Sequence, residues 1–433
     1  MSAITMAIVL LAGLSGAVAD AAPAELKHCE LTDGRTPQTA TPEEVGLDSP
    51  VLRTAIGFAA DPTRRNIQVF RNNCLIATGP NNAQTGGVPW NLWSATKSVV
   101  SLITGIAVDE GRLRIDDPID AYLPPGVGDA EHRAITVRNL LTESSGLEVS
   151  VLSEGVTGLA QLDPNVVAQA MARPVEHPQG TVWRYSQRAV DLIAYVVQRA
   201  VGSDFQEYAQ RKLFDPLGIR STDYYWGRDR SGNTYGYAHL VLPPDDFVKL
   251  GLLVANRGNW HGIQVISADY LAQASQPSQT SPCYGFLFVV NGPECAAEFP
   301  GLPADAVKMS GMMRQDSYIV PSLDLVVSWT GVTVPGAAGT FQNDALRAIN
   351  AAFREPRLPD PGPYVPQEGV SLDDPMITNP DAVLDALGIG PTAYPGCGPL
   401  LCLGKAPAAP FADWPSGCFI LGCVGPAPTP GIR

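Results

Sequence analysis

Trp93-Ser94-Ala95-Thr96-Lys97-Ser98-Val99-Val100-Ser101-Leu102-Ile103 opens the stretch Trp93–Gly111, and its reading decides the fold. The apolar spacing from Ser94 to Asp109 predicts a buried helix closed by Gly111. Residues three apart share a helix face, so Ser94 and Lys97 stand together one turn into that helix. A serine hydroxyl is a poor nucleophile at neutral pH and needs a base beside it. A lysine serves as that base once burial brings its pKa down. The plainer alternative makes Ser94 a helix cap and Lys97 a solvated surface charge. The two differ in one respect the structure can decide, the burial of Lys97.

Composition bounds what surrounds this pair. The 433 residues hold 45% hydrophobic and 17% charged side chains, a balance that buries a sizeable core. A formal charge of −14, with no basic cluster, argues against nucleic acid or an anionic membrane surface as partner. Met1–Ala19 reads as an export signal: the apolar run Met6–Ala12 is too short to span a bilayer, and Ala17-Val18-Ala19 offers a cleavage site. It lacks the usual leading Lys or Arg. Eight cysteines, an even number, fit a periplasmic or secreted, oxidised protein. No cysteines stand at zinc spacing, and no metal or other cofactor is expected.

Cysteines also mark the ends. Cys29 and Cys74 lie early, Cys283 and Cys295 flank Tyr284–Glu294, and Cys397/Cys402 and Cys418/Cys423 form two similar local pairs. From about Pro356 proline and glycine become dense and helical periodicity fades. Residues 356–433 therefore read as a loop-rich, disulfide-stapled appendage to a domain at 40–355, with 20–39 a separate leading segment. Within the domain, Asn66–Val69 and Leu75–Gly79 read as a hairpin, and Val190–Ala200 and Asp204–Leu213 as helices. Phe286–Asn291, Lys308–Met313, Ser317–Val320 and Leu325–Thr330 read as strands, with a helix over Phe341–Phe353. The expectation is an α+β fold: an antiparallel sheet built from both chain ends, flanked by helices, with a helical insertion between.

Two further motifs belong with Ser94. Tyr185-Ser186-Gln187 precedes a helix, and a phenol at Tyr185 can pass a proton between a serine hydroxyl and a leaving group. In Ser310-Gly311-Met312, Gly311 permits close backbone approach, and a strand N–H beside it can complete an oxyanion hole. In this order, and with their surroundings, these motifs resemble the serine β-lactamase and penicillin-binding-protein superfamily, within it the class C-like esterases, D,D-peptidases and 6-aminohexanoate-oligomer hydrolases. The resemblance covers about residues 40–355. It extends to Gly111–Ile119, Leu140-Leu141-Thr142-Glu143-Ser144-Ser145-Gly146-Leu147, Leu213–Ile219, Asp246–Gly251 and Gly258–Gly262.

That resemblance implies a β-lactamase/transpeptidase-like fold with Ser94 as nucleophile, Lys97 as base and Tyr185 as proton shuttle. It implies the N–H groups of Ser94 and Met312 as oxyanion donors, Met313 replacing Met312 if the register shifts by one. Trp93, Gln187, Met309, Ser310, Gly311 and His239 are the expected substrate contacts. Gln187 stands where the family commonly has Asn, and its longer arm needs a shifted partner. Met309 stands where the family has Lys or His, with Lys308 expected on the opposite strand face. A site without a cation to pin a carboxylate favours small neutral or cationic esters and amides. The alternatives are a peptidoglycan-type D,D-peptidase or β-lactamase, and a non-catalytic cell-wall or partner-binding module. There is no Gly-x-Ser-x-Gly elbow. His132, His177 and His261 read as structural or surface residues, and the oligomeric state is not legible.

Overall fold

A computed structural model describes residues 25–59, 64–295, 297–332, 341–364 and 371–426. The expected export signal, Met1–Ala19, lies outside them. Helix α1 (Ser49–Ala59) leads into strands β1 (Arg64–Arg71) and β2 (Cys74–Thr78), which turn through Asn72 and Asn73 at φ 50° and 62°. After the helical middle, β6 (Val289–Val290), β7 (Val307–Gly311), β8 (Gln315–Val320) and β9 (Leu325–Gly331) follow, and helix α5 (Phe341–Ala352) packs beside α1. These strands form one antiparallel sheet in the order β2-β1-β9-β8-β7-β6, with Ile67 opposite Trp329 and Val69 opposite Val327. The first and last parts of the domain thus share one sheet, the expected α+β arrangement.

Side chains alternate across a strand, and the sheet separates two cores accordingly. Tyr318, Val320, Val327 and Trp329 join Leu346 and Phe353 on the α1/α5 side. Val307, Met309, Ile319 and Val326 join Val99, Ile103, Leu192 and Val196 on the other, where the helical layer lies. In that layer run α2 (Ala95–Asp109), α3 (Val151–Leu159) and α4 (Gln187–Val201). Gly202 ends α4 at φ 70°, a conformation suited to glycine. Among the described residues no helix is long and apolar enough to cross a membrane.

Some boundaries differ from expectation for local reasons. Of Phe286–Asn291 only β6 pairs, because Leu287 turns at φ 59° and its carbonyl takes a hydrogen bond from Ser98 Oγ at 2.6 Å. The strand expected over Lys308–Met313 stops at Gly311, since Met313 and Arg314 adopt φ 61° and 64° to turn into β8. The helix from Asp204 is α-helical over Phe205–Ala209 and widens to a π turn over Gln210–Phe214.

A second, smaller sheet carries the segment before Ser94. Strand β3 (Trp90–Asn91) pairs with β5 (Leu240–Leu242), which pairs with β4 (Tyr225–Trp226). On the other side of β3 lies a hairpin from the far end of the chain, β10 (Cys418–Phe419) and β11 (Gly422–Cys423). The cysteines pair as Cys29–Cys74, Cys283–Cys295, Cys397–Cys402 and Cys418–Cys423. The stapled C-terminal segment is present as expected, and it lies against the domain.

Candidate active site

Trp93 adopts φ 50°, and the chain enters α2 with Ser94 at the N-cap. The Ser94 side chain makes no capping hydrogen bond, so its hydroxyl is not spent on the helix. It lies on the wall of a cavity of about 580 Å³ between the helical layer and the edge of the large sheet. Gly311 is pressed against the same turn: a Cβ there would stand 2.1 Å from the Leu92 carbonyl oxygen and 3.2 Å from the Ala95 nitrogen. Only glycine lets β7 approach the start of α2 this closely.

Lys97 is buried, which rules out the solvated-charge reading. Its Nζ donates to Gln187 Oε1 and, at 3.5 Å, to the Tyr237 carbonyl, and it sits 4.4 Å from the Tyr185 ring centroid. Burial brings its pKa down to about 8, against the opposing pull of Glu143, Asp191 and Glu154. The Gln187 arm is shared: its Nε2 donates to the Val151 carbonyl at 3.1 Å, which is the partner its extra length reaches. Ser186 caps α4 through a 3.0 Å bond from the Ala189 N–H and so orients Tyr185 and Gln187 on either side.

Tyr185 packs at 6.3 Å from Tyr284 and 6.2 Å from Trp183. Burial, then the Glu143 charge, holds its phenol above its ordinary pKa, while a hydrogen bond with the Ser94 hydroxyl works the other way. Serine, tyrosine and lysine thus form one continuous group in which Tyr185 stays protonated and Lys97 gives up its proton near pH 8, far below an exposed lysine.

Beneath Lys97, Arg188 bridges Asp163 at 2.9 Å and Asp191 at 2.7 Å, and Asp191 accepts the Gly236 N–H at 2.8 Å. This network fixes the Tyr235–His239 segment that supplies the Tyr237 carbonyl. Replacing Arg188 with leucine strands two buried carboxylates. A loss of ~3–5 kcal/mol of unfolding free energy is expected, measured by urea denaturation.

Of the expected substrate contacts, Trp93, Gln187, Ser310, Gly311 and His239 line the cavity, as do Met312 and Met313. Met312 is exposed and lies just past the end of β7. His239 accepts or donates to the Tyr237 hydroxyl at 3.1 Å, and burial takes its pKa down to about 4, so it is neutral. Met309 corrects the sequence reading. It is fully buried among the helical core residues, on the strand face it shares with Gly311, and it does not border the cavity. Lys308 does border it. Lys308 Nζ pairs with Glu298 and lies 3.4 Å from the Tyr318 hydroxyl, and Arg314 stands 3.8 Å from the same Glu298. Burial acts to lower the Lys308 pKa, but Tyr318, Glu298 and Asp316 outweigh it and keep the ammonium charged.

Three groups were not legible as site residues. Glu143, a family landmark position in sequence, is buried at φ 50°, and burial pushes its carboxyl up to about 8 despite the opposing pull of Lys97, the Ser186 backbone and the Tyr284 hydroxyl. Tyr284 closes the aromatic side of the cavity. Val151, Leu152, Val156 and Leu159 of α3 make an apolar wall. The only sequence signal for that wall is its helical apolar spacing, which a core helix shows equally.

An antiparallel sheet from both chain ends, carrying a Ser-x-x-Lys helix against a glycine at the end of one of its strands, is the β-lactamase/transpeptidase fold. The chain belongs to the Beta-lactamase family, whose model matches residues 69–342. It is 30% identical over 156 residues to lovastatin esterase of Penicillium rubens, covering 31% of this chain and 39% of that protein. It is 31% identical over 152 residues to esterase EstB of Burkholderia gladioli, covering 31% of this chain and 38% of that one. The matched region thus spans about two fifths of these curated relatives. A penicillin-binding protein homologue from Caulobacter crescentus superposes with a TM-score of 0.56 at 16% identity, over 73% of this chain and 99% of that one.

Proposed function

We propose that this protein is a periplasmic or secreted serine hydrolase that cleaves small neutral esters or amides through a covalent acyl-enzyme. The observation that carries the reading is the buried Lys97, held between Gln187 and Tyr185 beside a serine hydroxyl not used for capping. Ser94 Oγ attacks the carbonyl carbon as its proton passes to neutral Lys97, directly or through Tyr185. The N–H groups of Ser94 and Met312, with Met313 the next candidate, hold the tetrahedral oxyanion, an interaction worth ~3–4 kcal/mol per donor. Collapse breaks the bond to the leaving alkoxide or amine, which takes a proton from Tyr185 as the Lys97 ammonium returns one to the phenol, so that both groups end as they began. Water then adds to the acyl-enzyme by the same route in reverse, and Ser94 regains its proton. Esterase relatives support the ester branch. The four disulfides support an oxidising compartment. Intact-mass analysis after treatment with a fluorophosphonate, with the labelled peptide mapped, tests this: one adduct, on Ser94, is expected, and an unlabelled protein rejects it.

Substrate charge follows from Glu298. Because one carboxylate engages both cations on the cavity wall, a substrate carboxylate gains little there. Short-chain p-nitrophenyl esters are expected to turn over far faster than nitrocefin. Glu298→Gln should raise nitrocefin turnover by ~10-fold, the factor equivalent to about 1.4 kcal/mol. Efficient cephalosporin hydrolysis by the wild type overturns this assignment. The same effect is not expected from a lysine at Met309, which would bury an ammonium in the core.

A further inference from the structure

We infer that the C-terminal segment is a working part of the active site: its hairpin β10–β11 holds the strand that leads into Ser94, with Asn91 as the positioning residue through which it acts. The inference rests on the hydrolase reading of Ser94. Strand β3 has two residues, and two positions later Trp93 turns at φ 50°. A non-glycine residue in that conformation is strained and persists only where its surroundings over-determine it.

Asn91 supplies much of that determination. It is fully buried, and its Oδ1 accepts the Trp93 N–H at 2.9 Å. The other end of the same amide, Nδ2, donates to the Ile420 carbonyl at 2.8 Å, and the Asn91 N–H donates to the Leu421 carbonyl at 2.9 Å. The Cys423 N–H returns a bond to the Pro89 carbonyl at 3.0 Å. One side-chain amide therefore spans from the hairpin to the residue before the nucleophile. Without the hairpin, β3 becomes an edge strand and Asn91 loses both donors' partners in a buried place. The fit is close: a Cβ on Gly422 would lie 2.6 Å from the Pro89 carbonyl oxygen and 2.7 Å from the Trp90 ring.

The same segment reaches the base by a second route. The Met376 and Ile377 carbonyls accept the Val151 and Leu152 N–H groups at 2.9 and 2.8 Å, satisfying the first turn of α3. Val151 in turn fixes Gln187, which holds Lys97. Asp385 anchors this part through buried Arg173 at 3.1 Å. A strap that contacts the lead-in to Ser94 and the support of Lys97, and is stapled at Cys418–Cys423, is placed to set their separation.

Three variants of the full chain test this. Gly422→Val drives the hairpin off β3. Asn91→Asp keeps the acceptor for Trp93 but removes the donor to Ile420. Arg230→Ala breaks a different tail contact, Arg230 to the Ala408 and Pro399 carbonyls. Each is assayed for fluorophosphonate labelling rate at Ser94, kcat and KM on p-nitrophenyl butyrate, and amide hydrogen exchange at Asn91 and Cys423. Gly422→Val and Asn91→Asp should each lower kcat and labelling rate ~10-fold or more with KM little changed, the signature of a misplaced nucleophile. Their double variant should lose no more than the worse single one, since both break one link. Arg230→Ala should match the wild type. If Gly422→Val does not fold, Asn91→Asp decides alone. Wild-type labelling in a variant whose hairpin amides exchange freely overturns the inference, as does equal slowing by Arg230→Ala. A wild-type chain that takes no probe at Ser94 rejects instead the hydrolase reading.

Discussion

Ser94→Ala abolishes fluorophosphonate labelling and lowers ester hydrolysis by ~10³-fold or more, the scale on which removal of a nucleophile acts. The fold should hardly notice. The Ser94 hydroxyl makes no capping bond, and an alanine leaves the backbone of the turn and the close approach of Gly311 to Leu92 unchanged. A change in unfolding free energy of about 0.5 kcal/mol or less is therefore expected. A urea melt, a labelling assay and a p-nitrophenyl ester assay on one preparation separate the two effects. Labelling that survives in the variant, or mapping of the adduct to another serine in the wild type, removes Ser94 from the mechanism.

The sequence made Ser94 and Lys97 legible because a three-residue spacing on a helix needs no long-range information. Gly311 was legible for a related reason: glycine in a strand signals that something comes close, and the Leu92 carbonyl does. What failed was phase. Met309 and Lys308 both stand near Gly311, and a one-residue shift exchanges the faces of a strand. The structure settles it, because Gly311 must face the start of α2, which sends Met309 into the core and leaves Lys308 at the cavity. Glu143 failed differently. Nothing local in Thr142-Glu143-Ser144-Ser145 signals burial; it comes from a distant segment, whose Arg184 and Gly180 N–H groups hold the loop at the Glu143 and Ser144 carbonyls. The C-terminal segment reads as an appendage from its proline and glycine content. Its pairing with Trp90 and Asn91 crosses 329 residues between Asn91 and Ile420, a distance at which composition carries no signal.

The base and the shuttle carry the next largest effect. Lys97→Met and Tyr185→Phe should each slow ester hydrolysis by ~10²-fold or more, as expected when a group that moves a proton in the transition state is lost. The wild-type kcat/KM should rise as pH increases through about 8, where Lys97 gives up its proton and becomes a base. Lys97→Met should erase that limb, not merely lower the plateau. Glu143→Gln supplies the sign. Glu143, Asp191 and Glu154 each favour the ammonium form of Lys97 to the extent that they are ionised, and Glu143 contributes most, so removing its charge lowers the Lys97 pKa and moves the limb to lower pH. Arg188 stays paired with Asp163 and Asp191 in that variant, so the rest of the field on Lys97 is retained. A purely structural effect of Glu143→Gln would reduce the rate at every pH and leave the limb in place. A limb that stays put, or moves upward, separates Glu143 from the proton held by Lys97, and near wild-type rates in Lys97→Met or Tyr185→Phe remove that residue from the mechanism.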